Sequence, residues 1–278
     1  MPGRSERLGG VGGHLGASHV KRRALGQHFL RDAGLARAIV DLLAPTPRDL
    51  VVEIGPGEGA LTDELARRAG RVIALEVDRT LIERLRRRLP GVEVLEADAR
   101  TWDYGLLARP DGGRVLVVGN LPYSVGKPIV AALMDARRVL DAMALMLQRE
   151  VAERLAAPPG GKVYGALSVL TQTVCDVELA LRVPPGAFRP PPKVDSAVVR
   201  LVPRGEARVP PALEARFREV VRAAFARRRK TLANALAGGL GLSLGVVREA
   251  ATGSGVDPGR RAETLTIEEF VSLTARLS

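Results

Sequence analysis

The chain has 278 residues, 46% of them hydrophobic, enough to bury one large core or, more in keeping with its length, two cores, and too many for general disorder. A single cysteine, Cys175, excludes an internal disulfide and a Cys-rich zinc site, and the three histidines, His14, His19 and His28, all precede residue 29, which argues against a His-based triad and against a metal centre. Forty-two Lys and Arg against 31 Asp and Glu leave a formal net charge of +11, the balance of a protein that meets a polyanion.

Residues 1–18 are rich in Gly, Ser and Arg and lack apolar periodicity, so the first 20 residues read as a mobile tail. That segment has no apolar signal core, and no later stretch has the uninterrupted apolar length of a membrane span, so a cytoplasmic location is expected. From residue 31 to 120 helical and strand-like segments alternate, which predicts a parallel sheet with helices on both faces. Helical spacing covers residues 35–43 and stops before Pro45. A short apolar strand follows at 50–54, an amphipathic helix at 60–69, a strand at 71–77 and a charged helix at 79–89 that Pro90-Gly91 ends. Strands are predicted at 92–95 and 114–118, a helix at 128–134, a strand at 141–147 and a helix at 148–156, before a loop at Pro158-Pro159-Gly160-Gly161. Late strands at 174–183 and 196–202 flank a Pro-rich loop, 184–192, and Cys175 falls in an apolar run that suits a core residue. Beyond Pro203 only helical periodicity and Gly-rich breaks remain. The division predicted is therefore a tail (1–20), an α/β domain (21–203) and a smaller all-helical domain (204–278).

Three features carry chemistry. Asn120-Leu121-Pro122-Tyr123 follows an apolar strand, and ligands of open α/β sheets bind at the carboxyl ends of strands. The run Glu53-Ile54-Gly55-Pro56-Gly57-Glu58-Gly59-Ala60 joins the first strand of the alternating region to a helix, with glycine spacing of the dinucleotide type, and Glu76, 21 residues beyond Gly55, is placed to accept both hydroxyls of a ribose. Alone, that pair also suits NAD. The acid at Glu53 would repel a pyrophosphate and favour a ligand with a cationic amino group, such as S-adenosylmethionine, while Asp98 is placed either to accept from an adenine amine or to cap a turn. The third feature is charge. Arg216, Arg218, Arg222, Arg227, Arg228, Arg229 and Lys230 face one acid, Glu219, in the same stretch, which reads as phosphate contact, centred on Arg227 to Lys230, in preference to a merely solvated face.

Several separate motifs together give the chain a resemblance: Leu25-Gly-Gln-His-Phe-Leu30, the glycine turn, Asn120-Leu-Pro-Tyr123, Leu145-Met-Leu-Gln-Arg-Glu-Val-Ala-Glu-Arg-Leu155, Phe188-Arg-Pro-Pro-Pro-Lys-Val-Asp-Ser196 and Arg228-Arg-Arg-Lys-Thr-Leu-Ala-Asn-Ala-Leu236. From about Lys21 to the C-terminus it resembles the rRNA adenine N6-dimethyltransferases, specifically the KsgA/RsmA type that acts on 16S rRNA of the small ribosomal subunit. The resemblance implies a Rossmann-like, class I S-adenosylmethionine-dependent methyltransferase domain with a C-terminal helical domain, no metal, and a monomer working in ribosome biogenesis. It further implies that His28, Leu30, Gly55, Glu76, Asp98 and Asn120 line the S-adenosylmethionine site, with His28 standing where the family usually has Asn. Asn120 and the carbonyl of Leu121 or Pro122 would accept from the target amine, and Tyr123 and Phe188 would stack on the two faces of the base. From the residues alone, Phe188 is equally a plug that holds the Pro-rich loop down. The sister branch that methylates large-subunit rRNA, and a non-catalytic assembly factor, are the competing expectations.

Overall fold

The computed structural model describes residues 28–278; the expected mobile tail lies outside the described residues, as do the first three residues of the Leu25 motif. Its centre is a seven-stranded sheet. The chain enters with β1 (Phe29–Leu30) and α1 (Ala33–Asp41), and then alternates through β2 (Leu50–Ile54), α2 (Ala60–Ala66), β3 (Arg71–Glu76), α3 (Arg79–Arg88) and β4 (Glu93–Glu96). It continues with β5 (Val115–Asn120), α4 (Gly126–Asp135), β6 (Ala142–Gln148), α5 (Arg149–Ala156), α6 (Ala166–Gln172), β7 (Cys175–Val183), β8 (Phe188–Arg189) and β9 (Ser196–Pro203). The helices α7 (Glu214–Ala226), α8 (Leu232–Leu240), α9 (Leu244–Gly253) and α10 (Ile267–Arg276) complete it.

The strands lie in the order β4-β3-β2-β5-β6-β9-β7, and β9 alone runs against its neighbours. Both faces are covered, which is why the central strands read as unbroken apolar runs. In β5, Val115 and Val117 enter one core layer while Leu116 and Val118 enter the other. Asp49, just before β2, ties β2 to β5: it accepts from the Arg114 N–H at 2.8 Å and from its guanidinium at 2.7 Å. Because the chain builds β3 and β4 on one side of β2 and then returns to build β5 and β6 on the other, the order of strand addition reverses between the parallel neighbours β2 and β5. A cleft opens at such a switch point.

Each predicted strand and helix of the alternating region is present, with ends shifted by a few residues: α1 begins at Ala33 because Asp32 caps it, accepting from the Leu35 N–H. Two elements go beyond the sequence expectation. One is α6, whose polar side chains are consumed inside the protein: Ser168 donates to the Arg154 carbonyl, and Gln172 to the carbonyls of Leu155 and Ala157. The other is the short antiparallel pairing of β1 with β8, Leu30 opposite Phe188 and Phe29 opposite Arg189. The helical core around Phe217, Val220 and Phe270 also takes in Ala157, Tyr164 and Val169 from before β7.

Candidate active site

The cleft at the switch point is about 1100 Å³, counting its open mouth, and its lining includes Glu53, Gly55, Glu76, Asp98, Asn120 and Tyr123. Register explains the closeness of Gly55 and Asn120, since Ile54 of β2 lies opposite Gly119 of β5. A Cβ at Gly119 would stand 2.8 Å from the Ile54 carbonyl oxygen, so only glycine lets the two strands deliver their ends side by side. Gly57 has φ +57°, and a Cβ there would meet the Phe29 ring at 2.9 Å, which keeps the turn open to a ligand beside the backbone.

Glu76 ends β3, only 4% exposed. One of its oxygens accepts from the Val77 and Asp78 N–H groups at 2.8 and 3.1 Å, the other from Gly57 at 3.3 Å. Burial raises its pKa and those three N–H bonds hold the rise back. The carboxylate is thus fixed at the cleft wall with acceptor capacity left for a pair of hydroxyls. Asp98 follows β4 and is engaged by Arg100, whose N–H and Nε reach Oδ1 at 2.9 and 3.0 Å; this pairing holds its carboxyl below the usual carboxylate range. An adenine amine would share that carboxylate with the guanidinium.

Glu53 is different. It is 1% exposed, and neither carboxyl oxygen has a hydrogen-bond partner among the described residues. Burial pushes it up to about 8, with the nearby Thr62 hydroxyl holding the rise back and the charges of Glu76 and Asp63 adding to it, so at neutral pH the acid is largely protonated. The standing charge expected from the sequence therefore forms only beside a cation. An orphaned buried carboxyl, a glycine turn without side chains and an anchored diol acceptor fit the ammonium, the backbone contact and the ribose that S-adenosylmethionine presents.

Asn120 ends β5 and its Nδ2 donates to the His28 carbonyl at 2.9 Å, which orients the amide and leaves its oxygen without a protein partner among the described residues. Leu121 turns its side chain into the core, 1% exposed, so its backbone carbonyl is what it can offer the cleft. Tyr123 is half-buried and shares a hydrogen bond of 2.7 Å with the hydroxyl of Ser196. The His28 ring lies 5.5 Å from the Tyr123 ring at 35°, and its Nδ1 donates to the Pro190 carbonyl at 2.8 Å. Leu30 and Phe29 also line the cleft.

Two groups of expected residues lie elsewhere. Phe188 is 4% exposed, packed in the core layer that holds Leu30, Val183 and Ala187, and it is not part of the cleft lining. Its packing is that of the plug. Arg227, Arg228, Arg229 and Lys230 are exposed in the turn after α7, apart from the cleft lining. Arg228 is bound to the protein itself, donating to the carbonyls of Lys162 and Tyr164 at 2.5 and 3.1 Å, whereas Arg222, Arg227, Arg229 and Lys230 have no side-chain ion pair or hydrogen bond among the described residues. No group of three or more His, Cys, Asp and Glu among the described residues is placed to hold a metal ion. Sequence reading missed Arg100 and Ser196. The first was visible as a cation two residues from an acid; the second carries no local signal, since its partner is 73 residues away.

A parallel sheet with one reversed strand and a ligand cleft at its switch point is the architecture of class I S-adenosylmethionine-dependent methyltransferases, and this chain is an enzyme of that class. The family model for ribosomal RNA adenine dimethylase matches residues 18–278, and the chain belongs to that family. It is 45% identical over 258 residues to the ribosomal RNA small subunit methyltransferase A of Geobacter metallireducens, covering 91% of this chain and 94% of that one. To the protein of that name in Thiobacillus denitrificans it is 45% identical over 263 residues, 94% and 99% of the two chains. Among solved structures, a dimethyladenosine transferase from Plasmodium falciparum matches with a TM-score of 0.73 at 26% identity, over 88% of this chain and 96% of that one. The 23S rRNA methyltransferase ErmE matches with a TM-score of 0.68 at 30% identity, over 90% and 99%.

Proposed function

We propose that this enzyme methylates the N6 amines of two adjacent adenines in a hairpin near the 3′ end of 16S rRNA, in the small ribosomal subunit or its precursor, and acts as a monomer in the cytoplasm during subunit biogenesis. No helix among the described residues is long and apolar enough to cross a membrane. The small-subunit branch is favoured over the 23S branch by the 45% identity to small subunit methyltransferases against 30% to ErmE.

The observation that carries the catalytic reading is the Asn120 amide, pinned through its nitrogen to the His28 carbonyl so that its oxygen remains for a ligand. The exocyclic amine of adenine is a poor nucleophile because its lone pair is delocalised into the ring. Asn120 Oδ1 and the Leu121 or Pro122 carbonyl would accept from the amine hydrogens, drawing the lone pair out of conjugation, while Tyr123 stacks on the purine, a contact worth about 1–3 kcal/mol per base. Bound S-adenosylmethionine supplies an electrophilic methyl group. His28, Leu30, Gly55, Glu76 and Asp98 would hold that donor, with Glu53 beneath its ammonium. After transfer the amine proton is acidic and leaves to water, so the protein's contribution is position and electrostatics. Extruding the base costs a few kcal/mol, and Arg227, Arg229 and Lys230 would hold the flanking phosphates. Phe188 enters this reading as the second stacking face once its ring turns out of its packing beside Leu30.

The test is transfer of isotope-labelled methyl groups to immature small subunits. Asn120→Ala should lower the rate by at least about 100-fold while particle binding stays nearly unchanged. Persistence of paired dimethyladenines in 16S rRNA from a deletion strain would refute the small-subunit assignment.

A further inference from the structure

We propose that Ser196 is a positioning residue for methyl transfer, its hydroxyl fixing the Tyr123 ring in the plane that receives the target base. This rests on the assignment of the Asn120–Tyr123 turn as the place where the amine reacts.

Tyr123 stands in a turn between β5 and α4, half-buried, and the hydrogen bond to Ser196 ties the tip of its side chain to the sheet. Ser196 is fully buried, and it opens β9 with Gln148 of β6 opposite on one side and Val183 of β7 on the other, so the anchor is part of the sheet. Among the described residues its hydroxyl has no other partner than Tyr123. Alanine would fill the same space without a hydroxyl to satisfy, so the one role the structure gives the Ser196 hydroxyl is its bond to Tyr123. A buried hydroxyl needs a partner.

The anchor also joins two parts of the cleft. Ser196 lies four residues beyond the Pro-rich loop whose Pro190 carbonyl takes the His28 Nδ1–H, and the His28 ring lies 5.5 Å from that of Tyr123. The tyrosine is thus held at its tip by Ser196 and flanked by His28, while the His28 carbonyl orients Asn120. A ring free to pivot would have to be ordered on every base capture, with loss of rotamer freedom and of alignment at the reacting amine.

The test combines kinetics with a label. Ser196→Ala and Tyr123→Phe each remove one end of the bond, and each should lower kcat on immature subunits by about 10-fold, with the donor KM little changed. The double variant should be no slower than Tyr123→Phe alone, because Ser196 acts only through the tyrosine hydroxyl. In protein labelled with 3-fluorotyrosine, the three tyrosines give three fluorine signals, and Ser196→Ala should move that of Tyr123 while those of Tyr104 and Tyr164 stay in place. An unchanged kcat in Ser196→Ala, multiplied losses in the double variant, or movement of all three signals would overturn the proposal. If Asn120→Ala retains full transfer, the underlying site assignment fails instead, and that result is read separately.

Discussion

Replacing Glu53 by Gln should remove a large pH-dependent penalty on stability. The side chain is fully buried without a partner, and burial holds its pKa at about 8 against an ordinary 4.5. Below pH 4.5 the folded and unfolded chains both carry the proton and the difference vanishes. From there to about 8 only the folded protein keeps it, so each pH unit lowers stability by about 1.4 kcal/mol. The penalty reaches about 3 kcal/mol at neutral pH and levels off at about 5 kcal/mol above the folded pKa. The amide of Gln has nearly the same shape and does not titrate, while every other group cancels between the two proteins. Urea unfolding of wild type and Glu53→Gln across this range, without donor, measures the effect directly. The expected result is a stability difference that shifts in favour of Gln as pH rises. A difference independent of pH would refute the assignment of a neutral, desolvated acid at the base of the cleft.

The same group predicts that S-adenosylmethionine binding at neutral pH releases close to one proton in the wild type and none in Glu53→Gln, read by calorimetry in buffers of different ionisation enthalpy. Gly57→Ala should lower stability by about 1–2 kcal/mol, since alanine is strained at positive φ and its methyl meets Phe29; thermal unfolding tests this. Arg229→Ala and Lys230→Ala should each weaken rRNA binding and reduce the slope of log affinity against log salt by about one, whereas an unchanged slope in both would remove them from the RNA contact. Phe188→Leu preserves apolar volume without the ring: a normal melting temperature with a fall of about 10-fold in kcat would assign stacking, and a normal kcat would assign the plug.

The alternating half of the fold was legible because its strands are buried on both faces and its helices are striped, so period and run length separated them. The cleft was legible for the same reason: Gly55, Glu76, Asp98 and Asn120 each sit just past or at the end of a strand, where parallel topology gathers residues distant in sequence. The β1–β8 pairing was not, because the register of Phe29 with Arg189 spans the whole methyltransferase sheet and a two-residue strand has no periodicity. It packs Phe188 beside Leu30, where a motif alone gave the ring two possible stations. Nor did α6 announce itself, since Ser168 and Gln172 look like loop residues until their partners are known. Charge was legible in quantity and not in use: of the seven cations from Arg216 to Lys230, Arg216, Arg218 and Arg228 hold the protein together.

Tyr164 and Val169, which precede β7, are completely enclosed among Phe217, Val220 and Phe270 of the C-terminal helices. A chain cut after Pro203 would present both to water, and a helical piece expressed alone would lack part of its own interior. The C-terminal helical region is consequently not a cassette that relatives can trade at a linker. Any chimera that grafts it onto another catalytic sheet must carry residues 157–170 along to keep that interior filled.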